Sequence, residues 1–294
     1  MRISSDLVGT AFAPTAREWT RRDCALYALA IGAGQQDPGE ELEFTTHLSG
    51  GRPQRVYPIF GALAGGEAGV GGLLALLGGA VDTRLMLHGE QRFEQFTELP
   101  AQASVITAAH ISAVWDKGSA AVIETVADTC DATTGEPYCR STQSMFFRGS
   151  GGWGGDRGPS SPAAPTPDAE PERVLVARTR HDQALLYRLC GDENPLHVDP
   201  EVARAAGYDR PILHGMCTYG IVGRLLLHSY ADDDPARFGS ISARFSRPLL
   251  PGEQVVVETW PDGQNVRFVA KNDAAEIVLS NGRFELVGEG DSRA

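Results

Sequence analysis

Three polar residues that could perform acid–base chemistry, Asp192, Asn194 and His197, lie within six positions of one another. Gly191, just before them, can end a helix, because glycine adopts left-handed backbone conformations without steric cost. Pro195 fixes one backbone angle and favours an extended conformation at Asn194, so the loop is predicted to be stiff. A carboxylate and an imidazole on one rigid loop can activate a water molecule between them. The spacing therefore predicts a catalytic pair, although a helix cap and an ordinary loop histidine would also account for Asp192 and His197.

Predicted helices lie on both sides of this loop. Residues 180–190 have the amphipathic pattern of a helix. After the loop, Asp199, Pro200 and Glu201 form the pattern of an N-cap, a first-turn proline and a first-turn acid. Gly207 can close this short helix. The two helices would hold the ends of the loop in place.

A longer apolar helix is predicted to begin at Gly215 and to extend to about Tyr230, and its composition indicates that it is buried. Backbone N–H groups at a helix N-terminus have no intrahelical partner and carry partial positive charge, so they can stabilise a developing oxyanion. A glycine needed only for close packing is the alternative. The neighbouring His214 is expected to be structural.

The sequence repeats itself at an offset of about 150 to 160 residues. A Thr-x-x-Asp pattern followed by glycine nine residues later begins at Thr20 and again at Thr179, and each resembles a capping box at a helix start. The dipeptide Arg-Phe recurs at Arg92 and Arg244, each time ahead of a Leu-Pro pair. These echoes predict a duplicated domain. After Gly32 the first copy lacks the Asp, Asn and His of the later loop, so one active site is expected per chain.

Each half is predicted to contain a long helix and an antiparallel sheet, an α+β arrangement. Strands are expected at 84–97, 104–115, 120–128 and 138–148 in the first half, beside a helix between about Phe60 and Leu77. The second half is expected to have strands at 172–177, 240–250, 254–260, 266–270 and 276–285. The resulting division is a first domain at 1–148, a Gly/Pro/Ser-rich linker at 149–171, a catalytic domain at 172–288 and a tail at 289–294.

Composition limits the classes of partner and compartment. A net charge of −12 over 294 residues argues against nucleic acid or an anionic membrane as the main partner. The N-terminus has no signal-peptide core, and no uninterrupted apolar run reaches the length of a membrane span. The five cysteines show no metal-ligand spacing, which predicts reduced thiols, a cytoplasmic protein and no metal site.

The segment Gly-Asp-Glu-Asn-Pro-Leu-His-Val-Asp-Pro at 191–200 resembles the signature of the MaoC-like, (R)-specific enoyl-CoA hydratases, also called hydratase 2. The segments at 210–215 and 244–248 are similar to that family as well. In the first half, the residues around His88, the Asp-Lys-Gly turn at Lys117 and the glycines at 149–155 resemble two-domain members. The resemblance implies a double hotdog fold, in which a sheet wraps each long helix. It also implies hydration of trans-2-enoyl-CoA to (R)-3-hydroxyacyl-CoA by a homodimer without a cofactor.

The resemblance also implies roles for individual residues. Asp192 and His197 would activate the water, Asn194 would orient the water or the loop, and the Gly215 N–H would bind the oxyanion. Phe245 would line the path of the acyl group, although it could equally be a core residue of a strand. Lys117 would bind a phosphate of CoA, although a lysine in a turn could also be a solvated charge. The implied substrate-binding residues are His88, Gly89, Lys117, Glu193, Pro195, Leu196 and Phe245.

Three other functions remain compatible with the sequence: a dehydratase acting on acyl-carrier-protein thioesters, a hotdog thioesterase and a non-catalytic acyl-CoA-binding protein. The presence of Asp192, Asn194 and His197 argues against the last. The glycine-rich stretch from Gly61 to Gly79 leads to a further hypothesis, a roomy pocket for long or bulky acyl groups in the first half.

Overall fold

One antiparallel sheet of ten strands extends through both halves of a computed structural model that describes residues 3–47, 49–79, 81, 86–159 and 166–288. Across the sheet the strands follow the order β1-β3-β4-β5-β2-β7-β10-β9-β8-β6. Their bounds are β1 Thr15–Trp19, β2 Met86–Gln95, β3 Ala103–Asp116, β4 Ala120–Asp131, β5 Pro137–Arg148, β6 Arg173–Arg178, β7 Phe238–Phe245, β8 Gln254–Asp262, β9 Asn265–Lys271 and β10 Ile277–Leu286.

The two halves have the same strand order, which confirms the duplication. The first half follows β1-β3-β4-β5-β2 from its outer edge inward, and the second half follows β6-β8-β9-β10-β7. The halves join where β2 pairs with β7, and Gln91 lies opposite Ala243 in that pairing. Arg92 and Arg244, the two echoed arginines, lie one position to either side of this pair. The joint is therefore a local two-fold between equivalent strands.

Each long helix packs on the strands of its own half. The six α-helices within the described residues are α1 Arg21–Ala30, α2 Leu42–Thr45, α3 Phe60–Leu77, α4 Gln183–Tyr187, α5 Pro200–Ala205 and α6 Gly215–Ala231. Helix α3 contacts β3, β4 and β5, and helix α6 contacts β6, β7, β8 and β10. The predicted helices from 60 to 77 and from 215 to about 230 are therefore confirmed.

Helix α3 lies close to the sheet because its glycines face neighbouring side chains. A Cβ atom at Gly65 would lie 2.3 Å from Oγ1 of Thr129, and one at Gly69 would lie 2.8 Å from Oγ1 of Thr125. These two glycines permit close packing of α3, and the roomy acyl pocket expected along the stretch from Gly61 to Gly79 stays a prediction. By length and hydropathy α3 also resembles a membrane span, as do helices buried in protein cores.

Helix α6 packs against first-half residues as well as its own strands. A Cβ atom at Gly220 would lie 2.7 Å from both Ile31 Cγ2 and Tyr27 Oη, and one at Gly223 would lie 1.8 Å from Ile59 Cδ1. One hydrophobic core accordingly contains buried residues of both halves. The site loop next to α6 is thereby fixed relative to the first half.

Some local predictions hold and others need correction. The capping box at Thr20 is present, and Gly32 follows helix α1 with a positive φ of 89°. Thr179 does not cap the equivalent helix, because its hydroxyl donates to the Glu253 carbonyl instead. The helix predicted at 180–190 is only α4, followed by a 3-10 turn at Arg188–Cys190. The strand predicted at 240–250 ends at Phe245, and β1 was not predicted at all.

The beginning of the predicted linker is docked rather than free. The buried Asp116 carboxylate accepts hydrogen bonds from the backbone N–H groups of Gly152, Gly118, Gly154 and Gly155. These bonds, from Gly152 first, lower the pKa of Asp116 to about 2. Residues 160–165 and the predicted tail lie outside the described residues, and the domain boundaries stay a prediction.

Candidate active site

The loop at 191–199 is shaped by its own side chains. Oδ1 of Asp192 accepts from the Asn194 N–H at 3.2 Å, and Oδ1 of Asn194 accepts from the Leu196 N–H at 3.1 Å. Asn194 has φ −53° and ψ 120°, as expected before a proline, and a 3-10 turn at Pro195–His197 follows. Asp199 then caps α5 by accepting from the Glu201 N–H at 2.8 Å. The predicted capped helix after the loop is confirmed, and the stiffness of the loop stays a prediction.

Backbone carbonyls fix the orientation of two histidines at this loop. Nδ1 of His197 lies 3.0 Å from the carbonyl oxygen of Ile212, and Nε2 of His214 lies 3.1 Å from the carbonyl oxygen of Asp192. A carbonyl oxygen can only accept, so each of these ring nitrogens carries a proton. In the neutral rings, Nε2 of His197 and Nδ1 of His214 are then free to accept a proton.

Asp192, His197 and His214 converge in space. The ligand-type atoms of the three side chains all lie within 4.8 Å of one another, and the two imidazole centroids are 3.8 Å apart. The Asp192 charge also acts on His88 of the first half. A carboxylate with two imidazoles is a donor set that can bind transition metals. The absence of a metal site therefore stays a prediction.

Burial keeps these histidines neutral. It lowers the pKa of His88 to about 4, against smaller opposing effects of hydrogen bonds and of the Asp192 charge. It also lowers the pKa of His197. For His214, burial first and the adjacent His197 second lower the pKa to about 4. At neutral pH the site thus presents neutral imidazoles with free lone pairs around one acid, which suits general base chemistry.

Gly215 begins α6 directly behind the histidine cluster. His214 is the N-cap residue, and α6 extends from Gly215 for 17 residues. A Cβ atom at Gly215 would lie 3.1 Å from Cε1 of Phe245, at the end of β7. A larger residue would therefore push Phe245 away from the start of the helix, where free N–H groups point outward.

The first half contributes His88 and Gly89 to the same region. The rings of His88 and Phe245 are 4.6 Å apart. Strand β2 has a register shift between His88 and Glu90 in its pairing with β5, which is a bulge at Gly89. A Cβ atom at Gly89 would lie 3.1 Å from the Ser144 carbonyl oxygen, so glycine suits the bulge.

The remaining predicted site residues lie in different settings. Glu193 and Pro195 are exposed on the loop, and Leu196 is half-buried. The Lys117 ammonium donates to the Pro159 carbonyl at 2.9 Å and lies over the Trp115 ring. Its contacts are therefore with the linker and a first-half strand rather than with the loop at 191–199. An open cleft of about 620 Å³ that Arg52 helps to line shares no residue with the histidine cluster.

His214 is the residue whose place in the cluster was not predicted. It is 1% exposed, its ring lies against that of His197 at a tilt of 32°, and the Tyr187 ring is 5.0 Å from its own. Its position directly before the helix-opening Gly215 was a signal, since a residue there must lie near whatever the helix N-terminus faces.

Comparison with known proteins identifies the family. Residues 18–149 match the MFE-2 hydratase 2 N-terminal domain, and residues 162–281 match the MaoC like domain. A Dictyostelium discoideum protein named probable enoyl-CoA hydratase 2 is 37% identical over 268 residues, which cover 90% of this chain and 89% of that protein. This chain belongs to the MaoC-like hydratase 2 family.

Solved structures agree on the fold of this hydratase 2 family member. The full-length peroxisomal multifunctional enzyme type 2 of Drosophila melanogaster matches with a TM-score of 0.78 and 33% identity, over 94% of this chain and 48% of that chain. A Mycobacterium tuberculosis protein described as having a double hotdog fold matches with a TM-score of 0.61 and 12% identity, over 95% and 96% of the two chains. The fold is the double hotdog that the sequence motifs imply.

Proposed function

We propose that this protein hydrates trans-2-enoyl-CoA to (R)-3-hydroxyacyl-CoA and catalyses the reverse dehydration. The observation that carries the proposal is the Asp192 carboxylate within 4.8 Å of His197, beside the N-terminus of α6, in a hydratase 2 chain. The 37% identity to a protein named probable enoyl-CoA hydratase 2 supports the substrate class.

The proposed chemistry uses one water molecule held between Asp192 and His197. His197 is oriented by the Ile212 carbonyl so that its Nε2 lone pair can accept a proton from that water. As the O–H bond breaks, the water oxygen bonds to C3 of the enoyl group and the C2=C3 π electrons shift toward the thioester carbonyl. The same proton then passes from the pair to C2, so the overall reaction adds one water molecule.

The negative charge that develops on the thioester oxygen is proposed to be stabilised by the Gly215 N–H. A helix N-terminus carries partial positive charge, and a single oxyanion donor contributes roughly 3–4 kcal/mol of transition-state stabilisation. Asn194 would hold the loop and the water in register, since its side chain accepts from the Leu196 N–H.

The substrate is proposed to lie along the joint between the two halves. His88, Gly89 and Phe245 meet there, so they would contact the thioester end of the acyl-CoA. Lys117 would contact a phosphate only if it gave up its bond to the Pro159 carbonyl. Glu193, Pro195 and Leu196 would border the entrance, because they lie on the outer side of the loop.

Assembly and compartment remain proposals. We expect a homodimer in the cytoplasm, although the Drosophila relative is named peroxisomal. Light scattering at micromolar concentration would give the mass of the particle, and a mass of one chain would contradict the dimer.

The activity is tested by following loss of the enoyl-thioester absorbance with a medium-chain trans-2-enoyl-CoA and resolving the product by chirality. We expect formation of the (R)-3-hydroxyacyl product from the CoA thioester. Faster turnover of the matching carrier-protein thioester would indicate the carrier-protein dehydratase instead. Release of free thiol would indicate a thioesterase, and binding without turnover would indicate an acyl-CoA-binding protein.

A further inference from the structure

The side chain of His214 joins the two parts of the proposed site that must act together. Nε2 of His214 donates to the carbonyl oxygen of Asp192 at 3.1 Å, while the next residue, Gly215, opens α6. The imidazole thus connects the acid–base loop to the helix N-terminus. As the N-cap residue it makes no side-chain capping bond, so its side chain is available for this connection.

The segment 212–214 holds both members of the proposed pair. The Ile212 carbonyl accepts from Nδ1 of His197, and the His214 ring contacts both the His197 ring and the Asp192 backbone. The segment is itself anchored, because the Leu213 N–H donates to the Leu249 carbonyl at 2.8 Å. A three-residue clamp therefore sets the spacing between the carboxylate, the imidazole and the helix N-terminus.

Packing alone does not account for a histidine at this position. The side chain is 1% exposed, and Nδ1 has no hydrogen-bond partner among the residues that the structure describes. A buried polar atom without a partner is unfavourable, and an apolar ring of similar size would avoid that cost. An apolar ring, such as that of phenylalanine, has no N–H group to donate to the Asp192 carbonyl.

We propose that His214 is a positioning residue, which holds the Asp192 loop against the N-terminus of α6 so that water and oxyanion sites keep their separation. The inference rests on the proposed hydratase function. It assigns no proton transfer to His214, because Nε2 is committed to a carbonyl and the side chain, at 1% exposure against 9% for His197, is the more buried of the two.

Two substitutions separate the donor from the ring. In His214→Gln the amide nitrogen can still donate to the Asp192 carbonyl, whereas His214→Phe keeps the volume and loses the donor. We expect kcat of His214→Phe to fall by about 10- to 100-fold, because small misplacements of reacting groups have effects of that size. KM should change by less than about 3-fold, since ground-state contacts to the substrate remain. His214→Gln should retain most of the wild-type kcat.

The matched control is His228→Gln, on the same helix at an exposed position. We expect its kcat and KM to equal those of the wild type. Wild-type kcat in His214→Phe, or an equal loss of kcat in His214→Gln and His214→Phe, would overturn the inference. The first result would show that the donor is dispensable, and the second that the ring, not the donor, matters.

Amide hydrogen exchange provides a readout that does not depend on turnover. The Asn194 and Leu196 N–H groups are bonded to side chains of the loop. We expect both to exchange faster in His214→Phe and to exchange at the wild-type rate in His214→Gln. Unchanged exchange in both variants contradicts the positioning role even if the wild type proves inactive, whereas an inactive wild type with the expected exchange pattern contradicts only the proposed function.

Discussion

At the scale of single residues, the site is a carboxylate among imidazoles that the protein keeps neutral. Burial lowers the pKa values of His88, His197 and His214, and hydrogen bonds to backbone carbonyls determine which nitrogen of His197 and His214 is protonated. A base that must be neutral to act works at lower pH when its pKa is lowered.

This gives a prediction for the pH dependence of catalysis. Burial holds the pKa of His197 below its usual 6.5, so its free base persists as the pH falls through that value. We expect the acidic limb of the kcat/KM profile to have its midpoint below 6.5, and a profile measured in constant ionic strength buffers would check this. A limb above 6.5 would show that the essential base is a different group.

A second prediction concerns metals. Asp192, His197 and His214 could bind a metal ion, but two of their ring nitrogens are already bonded to carbonyls and the proposed chemistry needs none. We expect kcat to be unchanged after prolonged dialysis against a strong chelator, with metal content measured by mass spectrometry. Loss of activity that zinc or iron restores would contradict a metal-free hydratase.

The loop could be predicted because neighbouring residues determine its shape. The rest of the site could not, because it depends on packing between residues that are far apart in the sequence. The Asn194-Pro195 turn and the Asp199 cap follow from neighbouring residues alone. The approach of His88 from the other half and the contact of His214 with Asp192 depend on how β2 meets β7 and how α6 packs. No spacing within the loop reveals such contacts.

At the scale of elements, the glycines of α3 set how closely the helix lies on its surroundings. A Cβ atom at Gly72 would lie 2.4 Å from Cγ of Phe12, whereas nothing lies within 4 Å of one at Gly71. We expect Gly72→Ala to lower the free energy of unfolding by about 1–3 kcal/mol through overpacking. Its neighbour Gly71→Ala should raise it by roughly 0.5–1 kcal/mol, because alanine favours a helix. Urea denaturation measures the free energy of unfolding of both variants. Equal changes in the two would contradict the prediction and show that Phe12 moves aside without cost.

A largely buried ion pair links an element of the first half to α6. The Glu41 carboxylate accepts from Arg224, Tyr57 and the Gly34 N–H, and the side chains of Glu41 and Arg224 are only 12% and 13% exposed. Burial raises the pKa of Glu41, but the Arg224 charge and the hydrogen bonds outweigh it and leave the pKa lowered.

We expect Glu41→Gln to destabilise the protein by about 3–5 kcal/mol, the usual effect of leaving one member of a buried pair without its partner. The control is Asp182→Asn, which breaks the exposed pair with Arg180 and should change stability by less than about 1 kcal/mol. Chemical denaturation at neutral pH measures both, and similar small effects would show that the Glu41 pair is solvated in solution.

Strand β1 shows where element prediction failed and how it could have succeeded. Its five residues, Thr15–Trp19, have little apolar alternation, and the strand is at an edge of the sheet. Its counterpart β6 was predicted and lies just before the echoed Thr179 segment. Applying the duplication to every element, rather than to the helices alone, would have placed β1 ahead of Thr20.

At the scale of the whole molecule, the duplicated halves act as one unit. Buried residues from both halves share one core, and β2 pairs with β7 across the joint. We expect a single cooperative unfolding transition, with far-UV circular dichroism and tryptophan fluorescence coinciding. Trp19 and Trp260 report from different halves, so two separate transitions would contradict a shared core.

The duplication also explains why a chain with two similar halves has one proposed site. Each half provides a long helix on its own strands, but only the second half has the loop with Asp192 and His197. The loop after Gly32 instead leads to Glu41, which binds Arg224 of α6. The first half thus supports the helix of the proposed site and adds His88 to its edge.

The central claim is that Asp192 and His197 together activate the water that adds to the enoyl group. The most direct measurement is the rate of trans-2-enoyl-CoA hydration by the wild type, Asp192→Asn and His197→Ala, with folding of each variant checked by circular dichroism. We expect each substitution to lower kcat by at least about 100-fold, within the range for loss of general acid–base catalysis. Folded variants that retain the wild-type rate would contradict the account.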